Sequence, residues 1–101
     1  MSKLIPDIRR VDSNQAEIVR KLRQHKELSV RDIHMIGHGF PDIIVGFQCS
    51  NYLFEIKGSW KDKLTPHEIK FMKEWAGQIE RMHTYEEICS FLGIKSIEVK
   101  E

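Results

Sequence analysis

The sequence predicts an α/β protein in which a central β-sheet is flanked by helices. Two kinds of pattern predict it. Some segments repeat apolar residues at helical spacing behind capping side chains, and others are short runs of successive apolar residues bounded by turn residues, as in buried strands. The predicted segments are a helix at 12–26, strands at 29–36, 43–47 and 52–56, a helix at 65–75, a strand at 78–82, a helix at 84–93 and a further edge strand at 94–99.

Length and composition limit the chain to one domain, at 1–101. With 101 residues, 41% apolar and 31% charged, it has the composition of a globular protein with one modest core. The longest apolar runs are strand-sized, far below the roughly 20 residues that span a bilayer, and no hydrophobic signal core is present, so we expect a cytoplasmic protein without a membrane partner. Cys49 and Cys89 fit no Cys-x-x-Cys pattern, so a structural zinc site is not expected.

The amino-terminal part predicts a basic arm and then a helix. Residues 1–11 have no clear period and are expected to form a flexible arm that offers Arg9 and Arg10 to a nucleic acid. Asp12 and Gln15 fit a capping box at the start of the helix. Gln15 also falls within the apolar stripe of the helix, so its amide should point inward. There it would serve as a cap or form a core hydrogen bond, or else reach a water or a phosphate at the metal site that the following strands predict.

The strand at 29–36 is expected to end in a flexible turn, Gly37-His38-Gly39, that delivers the chain to Pro41. A glycine at position 39 would permit close backbone approach beside a site. His38 is a candidate phosphate contact, although a loop histidine can equally be no more than solvated.

The next two strands predict a hairpin that brings ionisable side chains together. Polar residues 48–51 separate the strands, and a turn near their middle places Asp42 opposite Glu55 or its immediate neighbour, with Cβ atoms about 4.5 to 5.5 Å apart. Strand alternation then puts Glu55 and Lys57 on one face and turns Ile56 to the other.

Both strands are apolar at successive positions and are therefore expected to be covered on both faces, where a lone carboxylate is costly to hold ionised. A divalent cation such as Mg²⁺ would remove that cost, since it prefers hard oxygen ligands and completes its shell from water and substrate phosphate. Lys57 would then hold the nucleophile or steady developing charge. A buried ion-pair cluster of Asp42, Glu55 and Lys57 explains the same pattern.

A basic loop and a capped helix follow. Trp60, Lys61 and Lys63 in that loop could follow a nucleic-acid backbone or stack on a base, and Trp60 could equally fold back as a lid on the core. Thr65 and Glu68 form a capping-box pattern. Capping alone is enough to explain Glu68, so spacing gives it no catalytic role. A second capping-box pattern, at 84–87, opens the last helix.

Positive charge is concentrated in two stretches. Residues 1–26 carry seven Lys or Arg against three acids, and residues 57–73 carry five against two, although the net charge of the chain is only +1. Basic segments flanking an acidic centre are what a phosphate-backbone binder with a metal site would show. Solvation of outer helix faces is the alternative for any single residue.

Three motifs resemble the PD-(D/E)XK nuclease superfamily, and within it the small stand-alone VRR-NUC type common in phages and bacteria. They are residues 39–42 (Gly-Phe-Pro-Asp), 54–58 (Phe-Glu-Ile-Lys-Gly) and 64–68 (Leu-Thr-Pro-His-Glu). The resemblance spans about residues 12–93. It implies a restriction-endonuclease-like fold, a central mixed β-sheet flanked by helices in the order α-β-β-β-α-β-α.

The resemblance also implies a function, a DNA endonuclease that uses Mg²⁺ or Mn²⁺ to hydrolyse phosphodiester bonds. Asp42, Glu55 and the Ile56 carbonyl would bind the metal, Lys57 would serve the nucleophile, and Gln15 with Glu68 would support the site. The chain departs from the family pattern at the last two positions: the first helix often supplies an acid, and glutamine is often found where Glu68 stands.

Stand-alone members of this type resemble structure-specific nucleases that form homodimers and cut branched DNA such as Holliday junctions. The resemblance therefore implies a homodimer with DNA as partner and no small-molecule cofactor. Two alternatives stay open. One is a catalytically silent nuclease fold that acts as a DNA-binding or regulatory module. The other is a purely structural cluster in a protein-interaction partner.

Overall fold

The computed structural model describes residues 14–98 and has an α/β architecture with one four-stranded mixed sheet and three helices. The elements are helix α1 (14–22 within the described part), β1 (Ser29–Asp32), a short 3-10 helix (His34–Ile36), β2 (Ile43–Phe47), β3 (Ser50–Ile56), α2 (Pro66–Glu74), β4 (Glu80–Met82) and α3 (Tyr85–Leu92). The sheet order is β1-β2-β3-β4. Its first three strands are antiparallel neighbours, and β4 runs parallel to β3. The predicted arm at 1–11, with Arg9 and Arg10, and the predicted cap Asp12 lie outside the described residues.

The predicted hairpin between β2 and β3 is confirmed. Its strands pair with Ile43 opposite Phe54 and Phe47 opposite Ser50. The connection is only Gln48 and Cys49 and not the predicted 48–51, so β3 begins at Ser50 rather than at residue 52. The φ angles of the two turn residues, 52° and 65°, are both left-handed. Positive φ at both central residues is the backbone of a type I′ turn, whose twist matches that of paired strands. The turn thereby fixes the register that faces Asp42 toward Glu55.

The hydrophobic core lies between one face of the sheet and the helices α1 and α3. Its buried members from the helices are Ile18, Val19, Leu22, Tyr85, Ile88 and Cys89, and those from the four strands are Val30, Ile43, Val45, Phe54, Ile56 and Met82. Helix α2 contributes no fully buried residue. Its aromatic residues instead pack against the loop before β2, with the Phe40 and Phe71 ring centroids 5.2 Å apart. Asp42 and Glu55 alternate with the core positions and therefore lie on the opposite face of the sheet.

The predicted first strand is wrong beyond Asp32. The Asp32 carboxylate accepts a hydrogen bond from the backbone N–H of His34 (3.1 Å) and also contacts the His34 ring. This local turn offers the backbone an alternative to the sheet ladder and starts the 3-10 helix. The observed order therefore differs from the predicted one by this added element.

Three other predicted boundaries are corrected. Helix α1 ends at residue 22 rather than 26, where the N–H groups of Gln24 and His25 donate to carbonyls three residues back (both 3.1 Å). Strand β4 begins at Glu80 rather than at residue 78. Residues 94–98 form no edge strand, because Ile97 donates its N–H to the Tyr85 hydroxyl (3.0 Å) instead of to the sheet.

Both capped helices begin where predicted. Thr65 and Glu68 form the full reciprocal capping box at α2. At α3 the Thr84 hydroxyl accepts from Glu87 N–H (3.1 Å), but the Glu87 carboxylate accepts from His83 N–H (2.7 Å) rather than from Thr84. The second box is therefore only half formed. Within residues 14–98 no helix combines the length and apolarity needed to cross a bilayer.

Candidate active site

Asp42 is held in place by three hydrogen bonds that reach it from both neighbouring strands. Its N–H donates to the Phe54 carbonyl (3.1 Å), and its carbonyl accepts from Ile33 N–H (2.8 Å). Its carboxylate Oδ2 accepts from the backbone N–H of Ile56 (2.8 Å). Backbone and side chain are thus both fixed, which is the preorganisation that a catalytic or metal-binding carboxylate requires.

Glu55 and Lys57 lie on the same face of β3, as strand alternation predicts. The Lys57 Nζ is 3.9 Å from Glu55 Oε2, and their side chains are 17% and 3% exposed. The β2–β3 register, continued one residue beyond Ile43 and Phe54, sets Asp42 across from Glu55. The three ionisable groups singled out in the sequence are therefore brought together.

Glu68 joins this group from the first turn of α2. Its Oε1 accepts from the N–H of Thr65 (2.8 Å) and lies 2.9 Å from the Nζ of Lys57. The capping box thus holds the carboxylate at a fixed place while it forms an ion pair with Lys57. Sequence spacing explains the cap and not this second contact, which depends on where α2 packs against the sheet.

The carboxylates crowd one another. Burial raises the pKa of Glu55 to about 9, with further upward contributions from the charge of Asp42 and from hydrogen bonding to Glu68. Burial also raises the pKa of Asp42, against the opposing effect of the Ile56 N–H. For Glu68, burial acts upward but is outweighed by the Thr65 N–H and by Lys57, so its pKa falls below the ordinary value. One proton is therefore held on Glu55 near neutral pH when no cation is present.

The donor set fits a hard divalent cation. Three carboxylates and one ammonium carry two excess negative charges when all are ionised, and Mg²⁺ or Mn²⁺ suits oxygen ligands. Asp42, Glu55 and the Ile56 carbonyl are the groups that would hold it. Within residues 14–98 no three His, Cys, Asp or Glu side chains form a preformed metal cage. Water and substrate phosphate would have to complete the shell, as is usual for Mg²⁺.

Gln15 points inward as predicted, with 8% of its surface exposed. Its Nε2 lies 3.5 Å from His34 Nδ1, and its amide also hydrogen bonds to Asp32. Among the described residues, no hydrogen bond joins Gln15 to Asp42 or Glu55. The structure places Gln15 in a hydrogen-bond network at the end of β1, as in the hypothesis that it forms an internal hydrogen bond.

The loop before β2 packs closely on α2. Gly39 has a φ of +81°, and a Cβ on it would lie 2.3 Å from the His67 carbonyl oxygen. The predicted close approach is therefore confirmed, with the first turn of α2 as the neighbour. The exposed His38 ring lies 6.4 Å from the ring of His67. His67, one residue before Glu68, and His38 therefore both lie near the start of α2.

The basic loop after β3 is exposed. Lys61 and Lys63 are both at the surface. Trp60 is 69% exposed, and its ring centroid lies 3.9 Å from that of His83. The expectation of a lid over the core is wrong, because the ring rests on the edge of β4 and leaves most of its surface in solvent.

Arg81 is a residue that sequence reasoning missed. It is the Cα partner of Glu55 in the parallel pairing of β3 and β4. Its guanidinium donates to the Ser59 carbonyl (3.0 Å) and to the Asp62 carbonyl, and it lies 5.4 Å from the Trp60 ring centroid. Only the parallel register reveals this placement, and no local pattern in the sequence encodes it.

Comparisons with protein-family models, with curated proteins and with solved structures find no match to this chain. Functional inference accordingly depends on the motifs and on the geometry of the site.

Proposed function

We propose that this protein is a DNA endonuclease that requires Mg²⁺ or Mn²⁺ and has a restriction-endonuclease-like fold. One observation carries the proposal. Asp42, next to β2, lies opposite Glu55 on the adjacent strand β3, and Lys57 lies beside Glu55 on the same face of the sheet. The α/β architecture with a mixed sheet is compatible with such a fold. A DNA substrate, a homodimer that acts on branched DNA, and a cytoplasmic location in a bacterial or phage-infected cell belong to the same proposal.

Each residue has a distinct task in this proposal. Asp42 and Glu55, with the Ile56 carbonyl, hold the cation, which when bound would polarise the scissile phosphate and lower the pKa of a water molecule. Lys57 holds the attacking water or neutralises charge that develops on the phosphate oxygens. Glu68 positions Lys57, since its Oε1 is 2.9 Å from the Lys57 Nζ. Hydrolysis adds water across one P–O bond and leaves a phosphomonoester and a hydroxyl.

Charge supports a polyanionic partner. The loop that follows Lys57 presents Lys61 and Lys63, and His67 in the first turn of α2 lies near His38 of the loop before β2, with their ring centroids 6.4 Å apart. Phosphate contacts of this kind position a backbone without reading its sequence.

The test is cleavage of branched and linear DNA with Mg²⁺, with Mn²⁺, and with chelator. We expect Asp42→Asn and Lys57→Met each to lower the rate by about 10² to 10³-fold, the scale for losing one group that stabilises charge in a transition state. Glu74→Gln and Lys70→Met, which change an exposed carboxylate and an exposed lysine of α2, serve as matched controls. Equal cleavage by wild type, both site variants and both controls would rule out this site as the origin of the activity.

The competing candidate is a DNA-binding or regulatory module without catalysis. It is favoured by the internal ion pairing, because Glu68 and Lys57 already satisfy each other and no buried side-chain N or O atom of the described residues lacks a partner. Calorimetric titration with Mn²⁺ separates the two. Binding that is lost in Glu55→Gln supports the enzyme, whereas DNA binding with no Mn²⁺ uptake supports the module.

A further inference from the structure

We propose that Trp60 is a preorganised stacking platform for an unpaired nucleobase, so that the substrate carries single-stranded nucleotides next to the scissile phosphate. The proposal deepens the proposed nuclease function and takes the position of the reacting phosphate from it. The platform is formed by the loop of residues 58–63.

The loop is closed by hydrogen bonds on several sides. The Arg81 guanidinium donates to the carbonyls of Ser59 and Asp62. Asp62 Oδ2 accepts from Ser59 N–H (3.2 Å), and Ser59 Oγ accepts from Lys61 N–H (3.2 Å). A loop tied at both ends to one guanidinium holds its central residue, Trp60, in a defined position.

The Trp60 ring is held by two neighbours and is still largely exposed. It contacts the buried His83 ring, with 3.9 Å between centroids and planes tilted by 50°, and the Arg81 guanidinium lies 5.4 Å from its centroid. Even so, 69% of the residue is exposed. A supported aromatic face that stays in water is suited to stacking, because a base can cover it without first displacing protein.

The platform lies next to the carboxylates. Arg81 is the Cα partner of Glu55 on the adjacent strand, and Lys57 donates its N–H to the Met82 carbonyl (3.0 Å). Trp60 follows Lys57 by three residues, so the two Cα atoms are no more than about 11 Å apart.

The geometry selects an unpaired base. In a duplex both faces of each internal base are already stacked, so a protein ring can cover a base only where it is unpaired, terminal or extruded. Lys61 and Lys63 follow Trp60 in the chain, are both exposed, and would contact phosphates of the bound strand. The Asp62 carboxylate between them is engaged with Ser59 N–H.

Intrinsic fluorescence tests the platform directly, because the chain has two tryptophans, Trp60 and Trp75. In a Trp75→Phe background the emission reports Trp60 alone. Titration in chelator with single-stranded oligothymidine should quench this emission, and closed circular duplex DNA, which has no terminal bases, should not. In the otherwise native chain Trp60→Ala should weaken single-strand binding by about 5- to 100-fold and duplex binding by less than about 2-fold, while Trp60→Phe should keep most of the affinity.

Lys61→Ala is the matched control, since loss of a phosphate contact should weaken both forms of DNA and reduce the salt dependence of binding. Absence of quenching, or equal loss of single-strand and duplex affinity in Trp60→Ala, overturns the platform. Unchanged thermal unfolding of Trp60→Ala excludes misfolding as the cause. Binding in chelator is independent of cleavage, so quenching without nuclease activity rejects the proposed function alone, and metal-dependent cleavage without quenching rejects the platform alone.

Discussion

Glu55 should make the metal-free protein less stable as pH rises from 6 to 8. Its folded pKa of about 9 lies far above the ordinary 4.5, so between pH 6 and 8 the folded protein keeps a proton that the unfolded chain has already released. Stability from this group is full below about pH 4.5, falls between there and about 9, and is constant above that. Asp42, whose pKa is also raised, acts in the same direction. Glu68, whose pKa is lowered, acts oppositely and only in acid, where it loses stability as pH falls.

The expected size follows from linkage. One retained proton changes the free energy of unfolding by about 1.4 kcal/mol per pH unit. Over two pH units the free energy of unfolding therefore falls by at most about 3 kcal/mol. Solvent screening reduces this little, because the Glu55 side chain is only 3% exposed. For a domain of this size that corresponds to a fall in melting temperature on the order of 10 °C.

Denaturant unfolding at pH 6, 7 and 8 in chelator, for wild type, Glu55→Gln and Glu74→Gln, measures the effect. Glutamine keeps the shape and donor capacity of a protonated glutamate, so Glu55→Gln should remove most of the slope, whereas Glu74→Gln on the exposed end of α2 should retain it. Saturating Mn²⁺ should also flatten the wild-type slope, because the cation replaces the proton. Parallel curves for wild type and Glu55→Gln would refute the argument, since they would mean that Glu55 is ionised in the folded protein.

Three further predictions concern stability and are checked by denaturant unfolding. Gly39→Ala should lower the free energy of unfolding by at least about 2 kcal/mol, because its Cβ would lie 2.3 Å from the His67 carbonyl oxygen. Gly93→Ala is the control: Gly93 is left-handed (φ 77°, ψ 25°) with no atom within 4 Å of an added Cβ, so it should cost only about 1 kcal/mol. Equal costs would argue against the contact. Replacing Gln48-Cys49 by Asn-Gly should stabilise the hairpin by about 1 kcal/mol, since both positions have positive φ, and destabilisation would contradict the type I′ assignment. Tyr85→Phe should lower the free energy of unfolding by about 1 to 3 kcal/mol, because the hydroxyl forms a hydrogen bond with His25 Nε2 (2.6 Å) and accepts another from Ile97 N–H. Tyr52→Phe is the control, and an equal cost for both substitutions would count against this role.

Local patterns predicted the hairpin and the two capped helices, because apolar runs, turn residues and capping boxes act over a few residues. They predicted Asp42 opposite Glu55 or its immediate neighbour, and the observed two-residue turn at Gln48 and Cys49 settles the register. They failed at Asp32, where a side chain competes with the ladder, and at residues 94–98, where the backbone bonds to Tyr85 instead of to a strand. Arg81 could not be predicted, since its place beside Glu55 depends on a parallel pairing that crosses from β3 through α2 to β4.

In the proposed nuclease, Glu68 would take the place of the acid that the family resemblance leads us to expect on the first helix. Gln15, where an acid would be expected from the family resemblance, is occupied with His34 and Asp32 at the end of β1. The third carboxylate of the cluster comes instead from α2, where Glu68 is oriented by its cap and contacts Lys57. A capping carboxylate is held by the backbone of its own helix, so the position of Lys57 depends on α2 being docked. Glu68→Gln preserves an acceptor for Thr65 N–H but removes the charge beside Lys57, so it should lower cleavage far more than it lowers stability. A variant with wild-type cleavage would show that Glu68 is a cap and nothing more.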